Sequence, residues 1–438
     1  MRPVVYFLAV FLLLVPKVNL VRFSGLTIGI KPEDFVVLAA LLLLAADLAT
    51  RTRIPCCVAR QAAPWLALFG LYAVAIGVPT LVYDASPLFL VRYLMYFSMI
   101  LFGLRVGSSI HEFSVSLEKL AFRALLVLLV LVLLQKGKVI GGYLTGDYFA
   151  DVSSRPMATL SNATELGAIS VLLLGLVLGA KMTSARKLVA LLAMLLMNVL
   201  AENRLPVVVG LGLFSLLLLD STQRFRSWRA RVMMTGGTLG VLLAAVLILP
   251  PFLSQLPRFE TLDPAANFGY LQEIVAEEFS SQETIRLEEK ELVDPESAAV
   301  DKSLAWRLQR WTYSVSLISS GYLLGVGAGG LGQGIDGFFF RILGESGIPG
   351  IILYGIVAIL LLRTANTPPG LCGLRYSCIG LGLLAIVLDV LYFSRVGYLF
   401  WLVVGIKISI IARSTNSSTA PTSRPTPRPK LSPNAAPL

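Results

Sequence analysis

Apolar runs separated by short polar connections recur along almost the whole chain. A helix that crosses a bilayer needs roughly 20 predominantly apolar residues. Twelve runs approach or reach this length, and we expect each to cross the membrane as an α-helix. The runs cover about residues 3–21, 34–50, 63–83, 87–107, 120–135, 160–180, 188–202, 205–219, 232–251, 338–362, 376–394 and 396–411. The pattern predicts an all-α, polytopic integral membrane protein with about twelve transmembrane helices.

Composition agrees with this prediction. Of the 438 residues, 56% are hydrophobic and 14% are charged, and the mean hydropathy is +0.78, which excludes a water-soluble enzyme. The formal net charge of +11 is unevenly spread, since twelve acids and two bases lie between residues 260 and 301. Membrane topology explains such zoning, so no nucleic-acid partner is predicted. The four cysteines have no zinc-like spacing, and no metal or other cofactor is expected.

The basic residues indicate how the chain is oriented in the membrane. With the N-terminus inside, the connections between runs alternate between the two sides. The inside connections then hold most of the loop Lys and Arg residues, namely Arg51, Arg53, Arg60, Arg105, Lys119, Arg123, Lys181, Arg186, Lys187, Arg224, Arg226, Arg229, Arg231, Arg363 and Arg375. This distribution obeys the positive-inside rule, which predicts a bacterial cytoplasmic membrane protein whose long acidic loop faces the exterior or periplasm.

We divide the chain into four parts on these grounds. Residues 1–251 hold the first nine spans, and residues 252–312 form an extracytoplasmic loop with amphipathic helices. Residues 313–411 hold a glycine-rich segment and the last three spans. Residues 412–438 are rich in Ser, Thr and Pro, which predicts a disordered cytoplasmic tail.

Several arginines break the positive-inside pattern by lying at the outer ends of spans. The outer set is Arg155, Arg204, Arg307, Arg310, Arg341 and Arg395, and Arg92 lies inside the fourth span. A guanidinium binds phosphate and pyrophosphate through two parallel hydrogen bonds, so the set suggests an anionic ligand. The alternative is that each arginine pairs with an acid or extends to the membrane interface.

The glycine-rich segment and two nearby carboxylates carry the remaining candidate chemistry. Residues 325–330 formally match G-x-G-x-x-G, but no βαβ unit surrounds them, so we expect an irregular segment passing close to the site rather than a dinucleotide fold. The only histidine, His111, lies in a predicted cytoplasmic loop, which leaves proton transfer on the outer side to carboxylates. Asp336 and Glu345 are the candidate bases, and salt bridges to Arg341 or Arg310 are the alternative for each.

Four stretches together resemble the O-antigen ligase and polymerase superfamily. Residues 155–167 resemble an arginine-led segment, with Ala158 where that family often has glycine, and Asn203 and Arg204 stand where a Ser-Arg pair is usual. The other stretches are the helix with Arg307 and Trp311 followed by residues 325–327 and 343–350, and the ending with residues 392–395, Phe400 and Trp401. The resemblance runs from about residue 155 to 405 and implies a fold of the GT-C-like type.

The resemblance implies transfer of a glycan from a polyprenyl-pyrophosphate carrier to a sugar hydroxyl of a second lipid-linked unit, without a metal. The arginines would hold the pyrophosphate, and Asp336 or Glu345 would accept the proton of the hydroxyl. The ligases of the superfamily have a histidine at about the position of Asp336, so the aspartate favours the repeat-unit polymerases. Membrane lipids and a chain-length regulator are the further partners that this implies.

Two other functions remain open from the sequence. A ligase that attaches the finished glycan to a lipid acceptor shares nearly all these features. A secondary transporter or flippase would also have many spans, but it usually shows an internal repeat, and none is evident in this chain.

Overall fold

The computed structural model of the chain describes residues 2–15, 21–22, 29–50, 55–83, 85, 87–107, 111–140, 156–160, 162–222, 272, 302–331, 337–368 and 370–419. The helices within this part are α1 (Arg2–Leu14), α2 (Pro32–Thr50), α3 (Cys56–Val82), α4 (Pro87–Gly107), α5 (His111–Lys136), α6 (Ala163–Gly179), α7 (Ser184–Leu200), α8 (Arg204–Thr222), α9 (Lys302–Ser319), α10 (Phe338–Asn366), α11 (Gly373–Ala385) and α12 (Ser394–Thr419). Strands β1 (Val21–Arg22) and β2 (Gly29–Ile30) form one short antiparallel pair.

The helices follow the apolar runs closely. Eleven of the twelve runs correspond to α1–α8 and α10–α12. Two of the predicted ends are wrong, because α1 ends at Leu14 rather than near residue 21, and α11 ends at Ala385 rather than near residue 394. The run at 232–251, most of the acidic loop and residues 420–438 lie outside the described residues. In the described part, α3, α4, α10 and α12 each contain a stretch that is long and apolar enough to cross a membrane. The prediction of an all-α membrane protein is confirmed, and the count of twelve crossings remains a prediction.

Helices α4 and α12 pack closely at the centre of the bundle. A Cβ atom added at Gly103 of α4 would lie 2.7 Å from the Ile406 nitrogen and 2.9 Å from the Gly405 carbonyl carbon of α12. Small residues let two membrane helices approach until their backbones touch, which gains dispersion contacts in a medium that offers little hydrophobic driving force. The pair therefore forms a firm core on which the polar side chains of both helices are held.

One end of the bundle is joined by polar contacts between helices that are distant in sequence. The Thr159 hydroxyl, just before α6, donates to the Leu13 carbonyl of α1 (2.7 Å), and Arg395 at the start of α12 donates to the Thr159 carbonyl (3.2 Å). Arg395 also pairs with Glu33 at the start of α2, and Asn203 before α8 donates to the Ala163 carbonyl of α6. We call this region the polar end.

The opposite end of the bundle is defined by Arg105, Lys187 and Arg375, and we call it the basic end. Arg105 of α4 pairs with Asp47 of α2 (2.6 Å), and Arg375 of α11 pairs with Asp220 of α8 (3.1 Å). Lys187 of α7 donates to the Leu178 carbonyl of α6 (2.6 Å). Helices that begin at the polar end, such as α2, α6, α8 and α12, thus run towards the basic end, in the alternation that the sequence predicts.

Candidate functional site

Helix α10 is broken at the polar end of the bundle. Gly347 has φ 62° and ψ −158°, which is not helical, and Pro349 has no N–H to donate. The carbonyls freed by the break need other partners, because an unpaired backbone group inside a membrane is costly. Val326 donates to the Gly344 carbonyl (2.8 Å) and Gly327 to the Glu345 carbonyl (2.9 Å). Residues 325–331, which we call the glycine segment, therefore complete the broken helix.

The backbone conformation of the glycine segment explains its composition. Gly325, Gly327 and Gly329 have φ values of +78°, +88° and +74°, in the left-handed region that residues with a Cβ atom rarely adopt. A Cβ atom at Gly327 would also lie 2.5 Å from the Thr80 Cα. The segment passes between α3 and α10, and the irregular segment that the sequence predicts is present.

The backbone amides of the glycine segment already donate hydrogen bonds to other groups of the protein. Each amide from Val326 to Gly330 donates a hydrogen bond, to the carbonyls of Gly344, Glu345 and Gly327, the Thr80 hydroxyl and the Glu345 carboxylate. A phosphate-binding glycine loop needs amides that point at the ligand. The formal G-x-G-x-x-G match therefore does not form such a loop, which agrees with the interpretation from the sequence.

Glu345 is the centre of this arrangement. It has no exposed surface, and its Oε1 accepts hydrogen bonds from Arg341 (3.1 Å) and from the Gly329 amide (3.1 Å). Its Oε2 accepts from the hydroxyl of Tyr93 on α4 (2.8 Å), with the Tyr392 hydroxyl at 3.5 Å. The salt bridge to Arg341 is the alternative that the sequence offered for this residue, and it is the arrangement observed.

Arg341 is held between two carboxylates. Its Nε lies 2.6 Å from the Asp389 carboxylate, and its Nη1 lies 3.1 Å from Glu345. The guanidinium also lies over the ring of Tyr392, 4.8 Å from the centroid. A buried charge is stable only when it is paired and hydrogen-bonded, and both partners of Arg341 are themselves buried. This predicted anion-binding arginine is engaged by the protein itself.

Arg395 and Arg92 are also paired with acids. Arg395 and Glu33 are both fully buried, and their Nη2 and Oε2 atoms are 3.4 Å apart. The Ser394 hydroxyl donates to the other oxygen of Glu33 (3.0 Å). Arg92 of α4 pairs with Asp34 (3.1 Å), the residue after Glu33 on α2. Arg92, Arg341 and Arg395 therefore follow the alternative hypothesis from the sequence, in which such arginines pair with acids.

Residues 156–160 are fixed at the polar end by a buried glutamine. The Gln135 Oε1 at the end of α5 accepts from the amides of Met157 (3.0 Å) and Ala158 (2.8 Å), and its Nε2 donates to the Ala158 carbonyl (2.8 Å). Ala158 has φ +53°, a value that glycine adopts more easily. Arg155 precedes this segment directly in sequence and lies outside the described residues.

The start of α8 is packed beside the start of α6. Asn203 donates to the Ala163 carbonyl, and a Cβ atom at Gly167 of α6 would lie 3.3 Å from the Pro206 Cβ. The Asn162 side chain caps α6 by accepting from the Glu165 amide (2.6 Å). Arg204, the first residue of α8, is half-buried. The start of α6, which lies in the predicted stretch 155–167, is therefore packed beside Asn203 and Pro206 at the polar end.

Helix α9 carries the last two arginines of the predicted set. Arg307 and Arg310 are three positions apart on α9 and share one face, and both are half-buried. The ring of Trp311 stacks on Phe340 of α10, with centroids 4.7 Å apart and planes 9° apart. Trp311 thus packs within the protein, and the side chain of Trp306 lies outside the described part.

Asp336 and Arg155 are the two predicted site residues outside the described ranges, although Asp336 directly precedes the buried Gly337. Within those ranges, no three His, Cys, Asp or Glu side chains are placed so that they could hold a metal ion.

Sequence reasoning did not single out the polar residues that hold the site together, namely Glu33, Thr80, Tyr93, Gln135 and Asp389. Glu33 and Gln135 lie at the edges of apolar runs and Asp389 lies inside one, and ionisable and amide groups are rare at such positions and usually have a partner. That signal is present in the sequence, but it does not indicate which partner each one has.

No protein-family model matches the chain, and no curated protein sequence does so either.

Proposed function

We propose that the protein is a metal-independent, inverting glycosyltransferase that polymerises polyprenyl-pyrophosphate-linked oligosaccharide repeat units on the outer face of the cytoplasmic membrane. The observation that carries this proposal is the packing of the α6 and α8 starts at the polar end. It joins the start of α6, in the stretch 155–167, to the turn before α8 through a hydrogen bond from Asn203 to the Ala163 carbonyl. Both stretches are among those that resemble the O-antigen polymerases, and the left-handed backbone of Ala158 suits the glycine that is usual there.

In this proposal the arginines divide into two groups. Arg341 and Arg395 are buried and held by Asp389, Glu345 and Glu33, so they stabilise the polar end rather than meet a ligand. We assign pyrophosphate binding to Arg155, Arg204, Arg307 and Arg310, because they lie in the stretches that resemble the O-antigen polymerases. Guanidinium groups aimed at a departing pyrophosphate stabilise its developing charge, which is the role that a metal ion has in many other glycosyltransferases.

The two candidate bases, Asp336 and Glu345, also have different roles in this proposal. Both oxygens of Glu345 are occupied by donors from Arg341, Gly329 and Tyr93, and the side chain is fully buried. A general base must reach the proton that it removes, so Glu345 is a positioning residue and Asp336 is the proposed base. The acceptor oxygen attacks the anomeric carbon, the bond from that carbon to pyrophosphate breaks, and the proton passes to Asp336. Direct displacement inverts the anomeric centre.

The experiment that tests the reaction class uses the purified protein in lipid with a native pool of polyprenyl-pyrophosphate-linked repeat units. The products are resolved by length. A ladder of products supports the polymerase. A single transfer to an added lipid acceptor, with the lipid-linked units left monomeric, would establish a ligase instead. No transfer, together with exchange of labelled units across the membrane, would establish a transporter.

A further inference from the structure

Two stacked aromatic rings hold helix α9 against the start of α10. The ring of Trp311 is within 9° of parallel to the ring of Phe340, and their centroids are 4.7 Å apart. A Cβ atom at Gly337, the residue before α10, would lie 2.6 Å from the Trp311 Nε1 and 3.2 Å from the Phe340 Cδ2. The indole thus occupies the space that a side chain at residue 337 would need, and it locks α9 to α10 at the polar end.

The face of α9 that carries Trp311 also carries the two arginines. Arg307 lies four positions before Trp311, and Arg310 lies four positions before Ser314, so these four side chains share one side of the helix. Ser314, on this face, has no exposed surface, and both arginines are half-buried. The next residue, Val315, is 37% exposed. The rotation of α9 about its axis therefore turns the arginine face into the protein.

We propose that Trp311 is a positioning residue of the transfer reaction, whose stack on Phe340 sets the rotation of α9 that directs Arg307 and Arg310 to the pyrophosphate. This inference rests on the proposed function. Cations stabilise a developing negative charge most effectively when they are held in place before the reaction. A pair of stacked rings suits this purpose, because aromatic side chains are rigid and prefer specific relative orientations.

The first test measures the rate of repeat-unit transfer in lipid after changes to the stack. Trp311→Leu and Phe340→Leu each remove one ring and should lower the rate by at least about tenfold, because the guanidinium groups are displaced. Trp311→Phe keeps a ring and should stay within about threefold of the unmodified chain. The matched control is Phe339→Leu, at a neighbouring side chain that is 43% exposed, and its rate should be unchanged. Undiminished rates in both ring-removing variants, or equal losses in Trp311→Phe and Trp311→Leu, would overturn the proposal.

A double variant separates positioning from a general structural role. If Trp311 acts through the arginines, the losses in Trp311→Leu and Arg310→Ala should not multiply. Two single losses of about tenfold should then give about 10- to 30-fold in the double variant, rather than about 100-fold. The full product would mean that Trp311 acts independently of Arg310, and it would overturn the proposal.

A readout that does not depend on activity is the labelling of cysteines on α9 by a membrane-impermeant maleimide. Labelling of the unmodified chain, which reports its four native cysteines, is subtracted. Ser314→Cys should react more slowly than Val315→Cys by at least about tenfold, and adding Trp311→Leu should remove most of this difference.

Slow labelling of Ser314→Cys that persists with Trp311→Leu would overturn the positioning role even if the protein makes polymer. Fast labelling of that double variant, together with no polymer from the unmodified chain, would overturn the proposed function and with it the role in the reaction, while the contact between α9 and α10 would stand.

Discussion

The polar end and the basic end of the bundle hold their charges in different ways. At the polar end, Arg341 and Arg395 are buried, and the acids that pair with them are buried as well. At the basic end, Arg375 is 38% exposed beside Asp220, and Arg363 near the end of α10 is exposed. Exposed ion pairs contribute little to stability, whereas the loss of one partner of a buried pair is costly.

This difference indicates which end can carry chemistry. The positive-inside rule predicts that the basic end faces the cytoplasm, where exposed charges are solvated and need no buried partner. The polar end combines buried ion pairs with a broken membrane helix, both of which cost free energy unless the surrounding structure compensates for them. Natural proteins keep such features mainly where a site needs them, so we assign the proposed reaction to the polar end.

The largest effect that we expect comes from Arg395→Ala. The substitution leaves the fully buried Glu33 without its arginine, and removal of one partner from a buried pair typically costs about 3–5 kcal/mol. The free energy of unfolding in mixed micelles measures this. A double-mutant cycle with Glu33→Gln should recover part of the loss. A loss below about 1 kcal/mol would mean that the pair is not buried as described.

Gly327→Ala should be the next most disruptive change. It puts a Cβ atom at a φ of +88° and 2.5 Å from the Thr80 Cα, so left-handed strain and overpacking together should cost about 2–4 kcal/mol. The matched control is Gly355→Ala in α10, where a Cβ atom would meet nothing within 4 Å. The control should unfold at the same free energy or be slightly more stable. Equal effects of the two changes would contradict the described path of the glycine segment.

Gln135→Leu tests the anchoring of residues 156–160. The change leaves the amides of Met157 and Ala158 and the Ala158 carbonyl without their buried partner, which should cost about 1–3 kcal/mol. Urea or detergent unfolding monitored by helical circular dichroism gives the value. Polymer synthesis should fall as well if the segment positions Arg155. Unfolding at the original free energy would show that Gln135 does not hold this segment.

Arg363→Ala should have the smallest effect on the free energy of unfolding. It serves as the reference substitution for the basic end. The side chain is exposed in the last turn of α10, so its removal should change the free energy of unfolding by less than about 0.5 kcal/mol. The same unfolding assay serves here. A loss as large as that of Arg395→Ala would remove the distinction between the two ends.

The helices could be predicted from the sequence because apolar length alone determines where a chain can cross a membrane. The pairing at the polar end could not be predicted, since Arg395 and Glu33 are 362 positions apart and Tyr93 and Glu345 are 252 apart. Of these ion pairs, only Arg341–Glu345 could be predicted from the sequence, because residues four positions apart on a helix lie on one face.

The glycine segment was predictable in part. Its composition indicated an irregular backbone, since glycine tolerates positive φ. The partners of that backbone, the Thr80 hydroxyl and the broken turn of α10, depend on how α3 and α10 pack. The glycine spacing does not indicate how α3 and α10 pack. For this reason the spacing alone also matches the formal pattern of a dinucleotide-binding loop.

The most direct test of the account is the length distribution of polymer made by the unmodified protein, Arg310→Ala and Arg363→Ala under identical conditions in lipid. The account predicts full ladders from the unmodified protein and from Arg363→Ala. Arg310→Ala, folded and present at the same level, should lose at least about tenfold in rate, because pyrophosphate departure loses a guanidinium. A full ladder from Arg310→Ala, or an equal loss in Arg363→Ala, would contradict the assignment of pyrophosphate binding to Arg310.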